Sequence, residues 1–191
     1  MSIFQNSSGG GSRIGGTLIL GLIMALFTLF QYYSKTEVNP ITKEKQHIGI
    51  SPEQEIAMGL QSAPAMAQEF GGLYPDERAQ QLVKKVGQNV VRNSAAKKTP
   101  YQYDFHLLAD PNVINAFALP GGQIFITYAL FSQLETEDQL AGVLGHEIGH
   151  VVARHSAQRI ADQQLTDGLT GAAVVATGSQ STAQMAQMIG N

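Results

Sequence analysis

From Ile14 to Ser34 the chain runs for 21 residues without a single Asp, Glu, Lys or Arg. No other stretch restricts the fold as strongly. About 20 apolar residues, at 1.5 Å rise each, are what a helix needs to cross a bilayer. Arg13 and Lys35 bracket the run, and Tyr32 and Tyr33 fall where interfacial aromatics belong. A cleaved signal peptide is the weaker reading, because Phe30-Gln31-Tyr32-Tyr33 lacks the small-x-small pattern that cleavage requires. The run also explains why only 14% of the chain is charged, against about a quarter in soluble domains. Residues 14–34 are therefore read as a transmembrane helix in contact with lipid, preceded by a polar tail over 1–13.

Orientation is contested within the sequence itself. Lys35, Lys43 and Lys45 after the span outnumber Arg13 before it, which by the positive-inside rule favours a cytoplasmic catalytic part. A short N-terminal anchor with a Gly/Ser tail usually exports the domain attached to its C-terminal end. The expectation leans to the extracytoplasmic (periplasmic) side.

Composition removes several classes of function. With no cysteine, a disulfide scaffold, a thiol nucleophile and any Cys-based metal site are excluded. A net charge of −3 argues against nucleic acid as a partner. The 191 residues suit one domain plus an appendage.

Residues 35–50 are mixed in charge, contain Pro40 and read as a linker. Ser51-Pro52-Glu53-Gln54 is a capping box that starts a helix running to about Phe70, with Pro64 bending or breaking it. A second helix opens at Pro75-Asp76 and places Leu82, Val83, Val86, Val90 and Val91 at helical spacing. Tyr101–Leu108, Val113–Leu119 and Gln123–Tyr128 read as strands, the last two joined through Pro120-Gly121-Gly122. Thr136-Glu137-Asp138-Gln139 caps a long helix expected to reach Ala161, with Leu140, Val143, Leu144, Ile148, Val151 and Val152 as its buried side. From Leu165 onward the chain is Gly/Ala/Ser/Thr/Gln-rich and forms no convincing closing element. The fold class is α+β, mostly helical with a small sheet, over residues 51–191.

The long helix carries His146-Glu147-Ile148-Gly149-His150, an H-E-x-x-H. Four residues turn about 400° and rise about 6 Å, so both imidazoles leave one helix face. Such a pair can grip one zinc ion at about 2.0–2.1 Å, and zinc lowers the pKa of a bound water to about 7. Glu147, on the flank, is placed to take that water's proton and pass it to a leaving amine. With 5 His and 9 Glu in the chain, chance produces this pattern in roughly one such chain in 170. The other histidines receive structural readings. His155 would lie half-way round an unbroken helix from His146 and so could not share its ion; His106 falls in a strand and His47 in the linker.

Over Ser51 to Ala161 the chain resembles the zinc metallopeptidase family that includes the CAAX prenyl protease and the HtpX-type membrane proteases. The likeness rests on Asn115-Ala116-Phe117-Ala118, Pro120-Gly121-Gly122-Gln123-Ile124-Phe125-Ile126 and Gly145 to His155. It implies a zincin-like domain with one zinc per chain on His146 and His150, and Glu147 as catalytic base. It also implies that Asn115, Ala116 and Phe117 contact the backbone of a polypeptide substrate along an edge strand. The family's third ligand is a Glu on a later helix, yet no Glu follows Glu147, and Asp162 and Asp167 are the only later carboxylates. On an unbroken helix Asp162 would lie about 18 Å beyond His150. The site is incomplete by one ligand, and the expectation is a C-terminally incomplete metallopeptidase domain. The implied activity is a membrane-anchored zinc metalloendopeptidase acting in protein quality control. The rivals are a silent membrane-tethered binding protein with half a zinc site and, less favoured, a zinc hydrolase of non-peptide amides.

Overall fold

A computed structural model describes residues 11–178. The first ten residues of the polar tail and residues 179–191 lie outside the described part. Glu37–Arg159 forms one compact unit, and the segments on either side of it form a second.

Within the larger unit, β1 (Thr36–Val38) pairs with β2 (Lys45–His47), and helices α2 (Pro52–Glu69) and α3 (Glu77–Arg92) follow. Ser51 and Gln54 close the expected capping box on α2, and Asp76 caps α3 by accepting from Arg78 N and Ala79 N. Pro64 sits inside α2 without ending it. A 3₁₀ turn at Ala95–Lys98 leads to the three-stranded sheet β3 (Asp104–Leu108), β4 (Ala116–Ala118) and β5 (Gln123–Thr127). Its order is β3-β5-β4, with β3 parallel and β4 antiparallel to the central strand. Helices α4 (Tyr128–Phe131), α5 (Glu137–Val152) and α6 (His155–Thr177) complete the chain.

Strand alternation divides the sheet into two faces. Phe105, Leu107, Ile124 and Ile126 join Val83 and Val86 of α3 and Leu140, Leu144 and Ile148 of α5 in one core, with Ala116 and Ala118 packed against it. On the opposite face the rings of His106, Phe125 and Phe117 stack across the three strands at 4.8 and 5.0 Å, and Phe70 meets Phe117 at 5.2 Å. The turn between β4 and β5 is fitted to α2. Gly121 has φ +79°, and a Cβ there would come within 2.4 Å of the Ile56 Cα, so only glycine serves.

Two expectations from the sequence are corrected here. Residues 35–50 are not a plain linker. They form the β1–β2 hairpin, whose Asn39 and Gln46 are buried. Asn39 Oδ1 accepts from Ile41 N and Thr42 N, and Asn39 N donates to Glu44 O, closing the turn through its own side chain. The helix predicted to continue to Ala161 also stops early. It ends at Val152, Arg154 takes the left-handed conformation at φ +57°, and α6 restarts at His155.

A non-glycine residue in that conformation costs about 1–2 kcal/mol, which the contacts of Arg154 offset. Its Nε donates to Glu55 Oε1 at 2.7 Å, Nη2 to Ile50 O at 2.9 Å, and Nη1 to Glu37. Glu55 is 1% exposed and also accepts from the Tyr101 hydroxyl at 3.1 Å. This is a buried charge held by a complete set of partners, the condition under which such a pair is tolerated.

In the second unit, α1 (Gly11–Ser34) contains one stretch, Gly15–Ser34, long and apolar enough to cross a membrane. Most of its large side chains, Leu18 to Phe30, are exposed. It approaches α6 closely: a Cβ on Gly21 would come within 2.6 Å of Ala172 O, and one on Gly168 within 2.5 Å of Thr28 Cγ2. Tyr32 donates its hydroxyl to Asp162 Oδ1 at 2.8 Å. The stretch after Leu165, expected to lack a closing element, is helical to Thr177. Its alanines favour helix, and Gly168 falls where any side chain would strike α1.

Glu55→Ala removes the buried carboxylate from the Arg154 guanidinium and leaves it only Glu37, which is half-exposed. It should destabilise the Glu37–Arg159 unit by about 3–5 kcal/mol, read as a lowered midpoint in urea unfolding.

Candidate metal centre

Helix α5 begins at Thr136, whose side chain accepts from Gln139 N at 3.2 Å, with Glu137 and Asp138 in the first turn where the helix dipole favours anions. Its apolar stripe of Leu140, Leu144, Ile148 and Val151 seats it on α3 and the sheet. The phase of that stripe turns His146 outward and leaves His150 half-buried.

The two imidazoles converge. His146 Nε2 and His150 Nε2 lie 3.1 Å apart, with the rings nearly perpendicular at 88° and centroids 4.6 Å apart. Tetrahedral zinc with bonds of about 2.0–2.1 Å separates neighbouring ligand atoms by roughly 3.3 Å. The pair thus presents two nitrogens at the spacing one ion requires. Glu147 is 9% exposed. Burial pushes its carboxyl above the ordinary carboxylate range, and the charge of His146 opposes that shift. His150 is shifted the other way, by burial first and then by the neighbouring charges of His155 and His146. A depressed imidazole pKa favours the neutral ring, the form that binds metal.

Among the described residues, no group of three or more His, Cys, Asp or Glu is arranged to hold an ion. The two later carboxylates are engaged elsewhere: Asp162 accepts from Tyr32 and Asp167 from Gln163 Nε2 at 2.9 Å. A catalytic zinc centre uses three protein ligands and a water. The histidine pair fits two of those three positions.

Strand β4, read as the substrate contact, is an end strand of its sheet. Asn115 O accepts from Thr127 N at 3.0 Å and Leu119 N donates to Gln123 O at 2.8 Å. Backbone groups of 115, 117 and 119 therefore face β5, and those of Ala116 and Ala118 face the open edge. Asn115 N is also turned inward, onto Thr127 Oγ1 at 3.1 Å. The Phe117 ring is engaged with Phe125 and Phe70 on the sheet face away from α5. Of the three residues named from the resemblance, Ala116 alone presents its backbone outward.

His106 lies on β3 and His47 on β2. His106 Nε2 meets Gln123 Oε1 at 3.0 Å and its ring stacks on Phe125, while His47 ends β2. His155 is different. The sequence assigns it a structural role on the far side of the helix, yet its Nδ1 lies 2.6 Å from His150 Nδ1. Sequence reasoning also misses Asn39, Gln46 and Glu55. Asn39 Nδ2 donates to Val152 O at 2.9 Å and Gln46 Nε2 to Ala153 O. These two side chains satisfy carbonyls that the end of a helix leaves without partners. Nothing in their sequence neighbourhood marks them; the pairing spans more than a hundred residues.

Asn39→Leu should cost about 1–3 kcal/mol, because it leaves the half-buried Val152 carbonyl and the Gln46 amide oxygen short of a donor. A lower thermal midpoint, with helix content unchanged by circular dichroism, is the expected reading.

Comparison with known proteins agrees with the residues. The family model described as peptidase family M48 matches residues 77–190. The beta-barrel assembly-enhancing protease of Yersinia pestis is 35% identical over 126 residues, covering 66% of this chain and 25% of that protein. The mitochondrial metalloendopeptidase OMA1 of Schizosaccharomyces pombe is 32% identical over 132 residues, 68% of this chain and 38% of its own length. The human mitochondrial metalloendopeptidase OMA1 is 31% identical over 160 residues, 80% of this chain and 30% of its own. The chain thus spans well under half the length of these relatives. Its H-E-x-x-H helix, the strands before it and more than half of its length place it in one family: the chain belongs to peptidase family M48.

Proposed function

We propose that the chain acts as a membrane-anchored zinc metalloendopeptidase, with His146 and His150 as metal ligands and Glu147 as general base. The observation that carries this reading is the 3.1 Å approach of the two Nε2 atoms, with a buried glutamate between them in sequence. When bound, zinc supplies Lewis acidity, which lowers the pKa of water and polarises a carbonyl. Glu147 takes the proton from the attacking water and returns it to the nitrogen of the leaving amine. Burial raises its proton affinity, which favours the protonated carboxyl that must give the proton back. The ring planes of His146 and His150 are crossed at 88°, with the two Nε2 atoms facing each other at 3.1 Å, which supports a shared ion.

A polypeptide in extended form would add to the open edge of β4, donating to and accepting from the backbones of Ala116 and Ala118. Both alanines turn their small side chains to the face that carries α5, which lets the metal helix lie close to a strand so occupied. The quality-control reading, in which damaged or misassembled membrane or envelope proteins are the substrates, draws support from the likeness to a protein named a beta-barrel assembly-enhancing protease. The rival, a tethered binding protein without catalysis, is favoured by the presence of only two suitably placed ligands among the described residues.

Glu147→Gln separates the two. On the peptidase reading it should lower hydrolysis of an unfolded protein substrate by about a hundredfold to ten-thousandfold, with zinc content by elemental analysis unchanged. His146→Ala should lose both zinc and hydrolysis. Wild-type protein with bound zinc and no hydrolysis of any polypeptide would favour the rival.

We further propose that 14–34 anchors the chain in lipid with the catalytic part on the extracytoplasmic side. The anchor is supported by the exposed apolar surface of Gly15–Ser34. The full chain should stay in the membrane pellet after carbonate washing, and deletion of residues 1–35 should release it. A reporter fused after Asn191 should be active only outside the cytoplasm, and the opposite result would reverse the orientation.

A further inference from the structure

The contact between His150 and His155 has no part in the family reading of the site. His155 is five residues beyond His150, which on a continuous helix is about 140° away around the axis. The break at Ala153-Arg154 redirects the chain and brings the two Nδ1 atoms to 2.6 Å. The His155 ring lies at 64° to that of His150, with centroids 4.8 Å apart. His150 is therefore held at both nitrogens, Nε2 toward His146 and Nδ1 toward His155.

We infer that His155 is a positioning residue for the metal centre, accepting a hydrogen bond from His150 Nδ1–H and thereby fixing the tautomer and ring plane of that ligand. This inference rests on the zinc reading given above. Two nitrogens at hydrogen-bond distance share one proton between them, and its location decides whether His150 can bind metal. With the proton on His150 Nδ1, the Nε2 lone pair is free on the nitrogen that lies 3.1 Å from His146 Nε2. With the proton on His155 Nδ1, His150 Nδ1 becomes the acceptor and the neutral ring carries its hydrogen on Nε2, where it blocks coordination. The productive arrangement thus assigns His155 the Nε2–H tautomer. Metal-ligating histidines usually donate their second N–H to a carboxylate, carbonyl or water; an imidazole acceptor occupies that place here.

His155 is not itself the missing ligand in this arrangement. It lies on the nitrogen of His150 opposite the one that faces His146, so its Nδ1 and the His146 Nε2 are on different sides of the same ring. The residue that supplies the acceptor comes directly after the residue that breaks the helix. Arg154, clamped by Glu55, Glu37 and Ile50 O, holds the backbone from which His155 departs.

The test uses the full 191-residue chain in detergent, zinc as the probe, and competition with a chromophoric chelator as the readout. His155→Leu removes the acceptor and keeps an apolar side chain of similar bulk; it should weaken zinc binding about 10–100-fold. His155→Gln places an amide oxygen within reach of His150 Nδ1–H and should restore affinity to within about threefold of wild type. Imidazole ¹⁵N shifts give a second reading: His150 should be the Nδ1–H tautomer in wild type and the Gln variant, and a tautomer mixture in the Leu variant. Wild-type affinity in His155→Leu would overturn the inference, as would a Gln variant as weak as the Leu variant, which is the pattern of a merely structural residue. Failure of wild type to bind zinc at all, matching His146→Ala, would overturn the zinc reading itself and the inference with it.

Discussion

The ion pair of Arg154 with Glu55 is the joint around which the Glu37–Arg159 unit is assembled. An arginine 8% exposed has no solvent to fall back on, so every donor must find a protein acceptor. It finds them on three separate segments: Glu37 in β1, Ile50 O before α2, and Glu55 in the first turn of α2. One side chain thus fixes the position of both ends of the 37–50 hairpin segment and the start of α2. The same residue, by its left-handed backbone, stands just past the end of α5. The pairing holds Arg154 in that conformation, between the end of α5 and the start of α6.

Around that joint the remaining packing is apolar and conventional. The sheet buries Phe105, Leu107, Ile124 and Ile126 completely, at roughly 1.5–3 kcal/mol for each large side chain. Small residues appear where elements must come close. Ala116 and Ala118 lie beneath α5, and a Cβ on Gly87 would meet the Phe105 ring at 2.5 Å. The small side chains on β4 bring an end strand and the histidine pair onto neighbouring ground without filling the space between them.

How much of this is legible in the sequence depends on the range of each interaction. The H-E-x-x-H pair is legible because its geometry is set by four residues of helix, and the caps at Ser51, Asp76 and Thr136 because each is a three-residue event. The apolar stretch of α1 is legible for the same reason, being a property of one continuous run. The helix break is not. It carries no glycine or proline, the signals by which a stop is recognised, and its cause is a carboxylate 99 residues earlier. The hairpin over 35–50 is hidden likewise: its polar residues look solvated, and Asn39 and Gln46 are buried only because carbonyls of Val152 and Ala153 stand above them. With the break unseen, periodicity alone puts His155 on the wrong side of the helix.

These hidden interactions share a physical origin. The last turn of any α-helix leaves four carbonyls without intrahelical donors, and α5 places His150 within that turn. Apolar packing could bury the end of such a helix but could not satisfy it. The chain therefore meets it with polar side chains. Asn39 serves Val152 O, Gln46 serves Ala153 O, and the Ala153 and Arg154 amides fold back onto Gly149 O and Val151 O. A ligand in the final turn of a fraying helix would have an uncertain position. Here the donors that meet the end of the helix also fix the turn that carries His150, and the stretch that supplies Asn39 and Gln46 comes directly after α1 in the chain. The polar burial that made these residues hard to recognise is what the site needs from them.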